Sequence, residues 1–142
     1  MLWFKEHDTR SRYEGLQTIL EQNGRAGCLF LTVLSIAEDY ICKPIDLVAA
    51  IRDAQEHGWL GKDFTCHNQL AMLKQWTGRK WVRTVVPYTE FSSLNIGKND
   101  YTALRYVKGD ITHFRRRGYD VYENSRTVKE GICDAVYIYS VK

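Results

Sequence analysis

The chain has 142 residues, 44% of them apolar and 13% aromatic, with a formal net charge of +3. That is enough apolar material for one buried core without disulfide or metal staples, and so mild a charge singles out neither a nucleic-acid binder nor a membrane-surface protein. The longest apolar run, around Cys28 to Ala37, falls well short of the roughly 20 residues that cross a bilayer, so no membrane partner is expected.

No repeat, low-complexity tract or Pro/Gly/Ser-rich linker interrupts the chain, and residues 1–142 read as a single domain. The first helix spans Leu29 to Tyr40. Its apolar residues cover most of the helical circumference, which predicts a buried central helix whose far end, Glu38-Asp39, emerges into solvent. A second helix begins near Pro44, with Ile45, Val48 and Ile51 down one face and a stop at Gly58. A third runs from Asn68 to Thr77, apolar at Leu70, Leu73 and Trp76, with Gly78 placed for a left-handed cap. From Lys80 onward, β-branched and aromatic residues come in short runs: Trp81 to Val86, Tyr101 to Val107, Ile111 to Arg116, Asp120 to Glu123 and Ala135 to Val141. Gly109-Asp110 reads as a hairpin turn. Helices first and strands second predict an α+β domain, its N-terminal helices packed on a C-terminal antiparallel sheet.

The residues that suggest chemistry are Cys28, at the mouth of the first helix, and His113, in a strand. A cysteine in a first helical turn meets unpaired amides and the positive end of the helix dipole, which favour its nucleophilic form. The small residues of Gly24-Arg25-Ala26-Gly27 are expected to keep the sulfur open. If Gly118-Tyr119 is a hairpin tip, antiparallel pairing sets Asn124 across from His113. Alternation adds Arg115 and Tyr122 to that face and sends Phe114 and Glu123 to the other. A thiol, an imidazole and an amide able to hold the imidazole tautomer are the parts of a thiol acyl-transfer enzyme.

Three features together resemble the papain-like cysteine peptidases: Gln22 ahead of Cys28, an apolar helix beginning at the cysteine, and Thr112-His113-Phe114 opening a hairpin that ends in Glu123-Asn124-Ser125. Gly27 to Leu31 and Asn124 to Gly131 are also similar to a small papain-like family of phages and spirochaetes. The resemblance implies a papain-like fold and a cysteine hydrolase of amide or isopeptide bonds that needs no cofactor. Cys28 would be the nucleophile and His113 the general base, with Asn124 orienting the imidazole. Gln22 and the Cys28 amide would form the oxyanion hole. The substrate would be a peptide or a smaller amide. The chain departs from the pattern in three ways: no tryptophan or serine-cysteine tract surrounds Cys28, the interval from His113 to Asn124 is short, and Glu123 and Asp120 compete with Asn124 for the third role. These departures keep open a second reading, a papain-like scaffold without catalysis that binds a protein partner, for example a phage protein that blocks a host factor.

Each feature also has a plainer meaning. A cysteine beside Leu29, Phe30 and Leu31 is often a small buried hydrophobe, and a strand histidine is often structural. The Arg115-Arg116-Arg117 run suits phosphate but more often forms a solvated hairpin that discourages aggregation, so nucleic acid ranks well behind a peptide or protein partner. Arg25 and Arg115 would add positive charge near the thiol. Cys66-His67 is adjacent and has no second pair at zinc spacing, which argues against a metal site. Trp59, Trp76 and Trp81 read as core or groove wall. No phosphate-cradling glycine loop points to a nucleotide cofactor. Cys28, Cys42, Cys66 and Cys133 are widely spread behind no recognisable leader, from which a cytoplasmic protein with reduced thiols is expected.

Overall fold

The computed structural model describes residues 27–117 and 125–142. Helix α1, Gly27–Ile41, is buried along nearly its whole length. Phe30, Leu31 and Leu34 pack on Leu47, Ala50, Ala54, Leu60 and Met72. Val33, Ile36 and Ala37 pack instead on Leu73, Trp81, Ala103 and Tyr139. The helix is therefore the middle layer, with helices on one flank and a sheet on the other, and that is why its apolar residues run round the whole circumference. It ends at Cys42, whose φ of 57° is left-handed and whose N–H donates to the Glu38 carbonyl at 2.8 Å.

The far end of α1 does not emerge into solvent. Glu38 is 0% and Asp39 4% exposed, because each carboxylate has a partner inside. The Ile45 N–H donates to Glu38 Oε1 at 3.0 Å, and Arg116 Nη1 lies 2.9 Å from Asp39 Oδ2.

Helix α2, Leu47–Glu56, starts later than Pro44 suggests, because Asp46 caps it by accepting from the Ala49 N–H at 2.9 Å. The later start places Leu47, Ala50 and Ala54 on the buried face and leaves Val48 73% exposed, while Ile45 and Ile51 pack at the core margin. Helix α3, Gln69–Thr77, is bounded as expected. Asn68 Oδ1 accepts from the Ala71 N–H at 3.0 Å, and Gly78, at φ 72°, donates its N–H to the Lys74 carbonyl.

Among the described residues four antiparallel strands follow: β1 Trp81–Pro87, β2 Asp100–Lys108, β3 Ile111–Arg116 and β4 Ile132–Val141. They lie in the order β1-β4-β2-β3. Gly109, at φ 60°, turns the tight β2–β3 hairpin. The β2–β4 register slips between Arg105 and Tyr106, which pair with Ala135 and Cys133. The extra residue, Asp134, turns its carboxylate onto the Arg105 guanidinium with two bonds of 2.9 Å. This bulge carries β4 back to Ile132, earlier than its residue pattern suggests. Two short elements were not expected, a 3-10 helix at Tyr88–Ser93 and α4 at Ser125–Glu130; the first packs on β1 and β4, the second on β2 and β3. The strand expected at Asp120 to Glu123 lies outside the described residues. The architecture is α+β, helices against a four-stranded antiparallel sheet. Among the described residues no helix is long and apolar enough to cross a membrane.

Candidate functional site

Helix α1 runs beside β3, an edge strand of the described sheet, and the two advance in the same direction. The Cys28 thiol donates to the Thr112 carbonyl at 3.9 Å. One turn on, the Thr32 hydroxyl lies 3.4 Å from the Phe114 carbonyl. Another turn on, Ser35 Oγ accepts from Arg116 at 3.1 Å, and Asp39 completes the series on the same guanidinium. Side chains from α1 thus reach the backbone of a sheet edge, and the ladder brings Cys28 beside the residue immediately before His113.

Strand alternation decides where the imidazole points. Phe114 packs edge-on to Tyr137, ring centroids 5.2 Å apart, and Arg116 turns to α1, so both lie on the helix-covered face. His113 and Arg115 therefore take the other face, as the sequence pattern predicts for Arg115. There His113 sits across from Tyr106, which in turn sits across from Cys133, and the Tyr106 hydroxyl acts to lower the pKa of the Cys133 thiol. That row was not foreseen from sequence, because its register depends on the bulge at Asp134.

Both candidates are enclosed, Cys28 at 4% and His113 at 1% exposure. The expected open sulfur is instead a packed one, seated against the edge of β3. Gln22 and Asn124 lie outside the described residues, as do Arg25, Asp120, Tyr122, Glu123 and the hairpin register that would set Asn124 opposite His113.

The arginine run is not a solvated hairpin. Arg116 is 3% exposed because Asp39 and Ser35 receive it, and Arg115 is half-buried. Arg117 alone of the three is exposed, its guanidinium 4.9 Å over the Phe91 ring. The sequence did hold a signal for the pair, two carboxylates inside an otherwise apolar helix that need a cation from elsewhere.

Cys28, Cys42, Cys66 and Cys133 are all free thiols, in unlike settings. Cys42 is exposed. Burial, with a smaller contribution from the charge of Cys28, pushes the Cys66 thiol up to about 12. Burial and the neighbouring Asp134 carboxylate raise Cys133, partly offset by the Tyr106 hydroxyl. Neither Cys66 nor Cys133 is set up to react at neutral pH. Comparison with protein-family models, with curated proteins and with solved structures returns no match for this chain.

Proposed function

We propose that the chain is a papain-like cysteine hydrolase of amide or isopeptide bonds. The observation that carries this reading is the bond from the Cys28 thiol to the Thr112 carbonyl, which sets a helix-N-terminal cysteine beside the residue before His113. In the proposed reaction His113 takes the thiol proton, and the sulfur adds to the substrate carbonyl. The imidazolium then protonates the leaving amine as the C–N bond breaks, leaving a thioester on Cys28. His113 next deprotonates water, which adds to the thioester and releases the carboxylate and the thiol. Gln22 and Asn124 take their roles, oxyanion donor and histidine support, from the resemblance to papain-like peptidases.

A second reading has its own support. Both residues are enclosed, and alternation turns His113 to the face away from Phe114 and Arg116, which suits a papain-like scaffold that binds a protein partner without catalysis. Site-resolved alkylation with iodoacetamide at pH 7 separates the two readings. Cys42, being exposed, sets the rate of an ordinary accessible thiol. For a hydrolase, Cys28 reacts faster than Cys42 despite its burial, and His113→Ala slows Cys28 by about 10-fold or more. A Cys28 that trails Cys42 and is indifferent to His113→Ala removes the enzyme reading and leaves the binding module.

A further inference from the structure

Two open pockets meet at Arg117, well away from the thiol. The first, of about 880 Å³, opens beyond the C-terminal end of α1 and is lined in part by Asp39, Tyr40, Cys42, Lys98, Asn99 and Arg116. The second, of about 760 Å³, is lined in part by Tyr88, Phe91, Leu94 and Leu104. Ile96 and Arg117 line both. Asp39 follows Cys28 by eleven residues on α1, a rise of about 16 Å, so this cleft is a separate place on the molecule.

The two compartments differ in chemistry. In the first, both carboxylates are already engaged: Asp39 pairs with Arg116, and Asp100 accepts from the Gly97 N–H at 2.8 Å and from the Ser140 hydroxyl at 2.6 Å. Lys98 is exposed at the lip, beside the amide of Asn99. That compartment holds three cations against two carboxylates and favours an anion. The second compartment is aromatic. Tyr88 is 44% exposed and its ring centroid lies 6.0 Å from that of Phe91. Arg117 joins the two, since its guanidinium lies over the Phe91 ring at 4.9 Å. Stacking in this way occupies the flat face of a guanidinium and leaves its N–H edge to fork onto phosphate oxygens.

We propose that this cleft binds a nucleotide, its base against Tyr88 and Phe91 and its phosphate on Lys98 and the edge of Arg117. An acidic peptide would use the cations and leave the rings idle, whereas a phosphate joined to a planar base uses both. Aromatic rings alternating with cations bind bases with little regard to identity. The same chemistry comes from a free nucleotide or from one residue of a single strand.

Cys42 supplies a built-in reporter, being exposed and part of the first compartment. The test measures iodoacetamide alkylation of Cys42 and of Cys28 in the full chain with ADP, with adenosine, with inorganic pyrophosphate and with a short oligothymidylate. ADP or the oligonucleotide is expected to protect Cys42 and leave the rate at Cys28 unchanged. Lys98→Ala and Arg117→Ala, both at exposed positions, should each weaken protection by about tenfold. Tyr88→Ala should weaken ADP and spare pyrophosphate, with circular dichroism confirming that each variant is folded. Stronger protection by the oligonucleotide assigns the site to single strands, and stronger protection by ADP assigns it to free nucleotides. Failure of both to protect overturns the proposal, as does pyrophosphate protecting as well as ADP while Tyr88→Ala changes nothing.

Discussion

Cys66, half-buried at the margin of the core, shows how one enclosed thiol can govern the response of the fold to pH. Its thiol is held protonated up to about 12 by burial and, secondarily, by the charge of Cys28, whereas an unfolded chain releases that proton near pH 8.5. A group whose pKa is raised on folding contributes stability in full below its unfolded pKa, and that contribution is lost as pH rises towards the folded value. Urea unfolding should therefore show stability falling above about pH 8.5, at roughly 1 kcal/mol per pH unit from this residue alone. Cys66→Ala should flatten the slope between about pH 8.5 and 10. Tyr139, also raised by burial, acts with the same sign at still higher pH, and Cys133, raised by burial and by Asp134, acts with the same sign in the same window, so it is the difference between the wild type and Cys66→Ala that isolates Cys66. At this scale residue type alone put Cys28 and His113 forward as candidates, but it did not disclose that both are enclosed. It was silent on Cys66, whose burial depends on elements remote in sequence.

Among the elements, the ladder between α1 and β3 concentrates the strongest dependence on a single side chain. Asp39 and Arg116 are both buried and lie 2.9 Å apart. Removing the guanidinium alone leaves a buried carboxylate without that cation, and Arg116→Met should cost about 3–5 kcal/mol. Adding Asp39→Leu should recover much of that loss, because an apolar pair of similar volume needs no charge partner. Urea midpoints of the single and double variants test this directly, and equal losses in both would show that packing volume, not charge, dominates. The helix ends carry smaller terms. Asn68→Ala should cost about 1 kcal/mol by orphaning the Ala71 N–H. The bounds of α3 were legible because Asn68 and Gly78 act locally. The start of α2 was not, since Pro44 and Asp46 both suit a helix entry and only the hydrogen bond to Ala49 decides between them. The burial of Glu38 and Asp39 was illegible because the cation for Asp39 sits in β3.

For the molecule as a whole, α1 contributes to two hydrophobic clusters, one against the helices and one against the sheet, and β4 holds the sheet together. It pairs with β1 on one side and β2 on the other, so its backbone groups are bonded along both edges. Its amides should therefore exchange with deuterated solvent more slowly than those of β1 and β3, the two outer strands. Equal protection across the sheet would mean that it opens only by global unfolding. The order of helices before strands was enough to read the α+β class, and β3 was predicted to the residue. The strand order was not readable, because β4 inserts between β1 and β2 from the far end of the chain and its register depends on one extra residue, Asp134.

The bond between Cys28 and Thr112 ties the posture of the sulfur to its proton. As a thiol it has a hydrogen to offer the carbonyl, and the side chain rests against the strand. Once that proton has gone to a base, the sulfur and the carbonyl oxygen face each other lone pair to lone pair, and the side chain has reason to rotate about χ1 to a different staggered well. Under the proposed hydrolase reading, proton transfer and reorientation would form one event, a latch that keeps the sulfur stowed along the sheet edge until its proton leaves. On that reading, a substrate approaching from outside the edge would meet the sulfur only after the latch has turned.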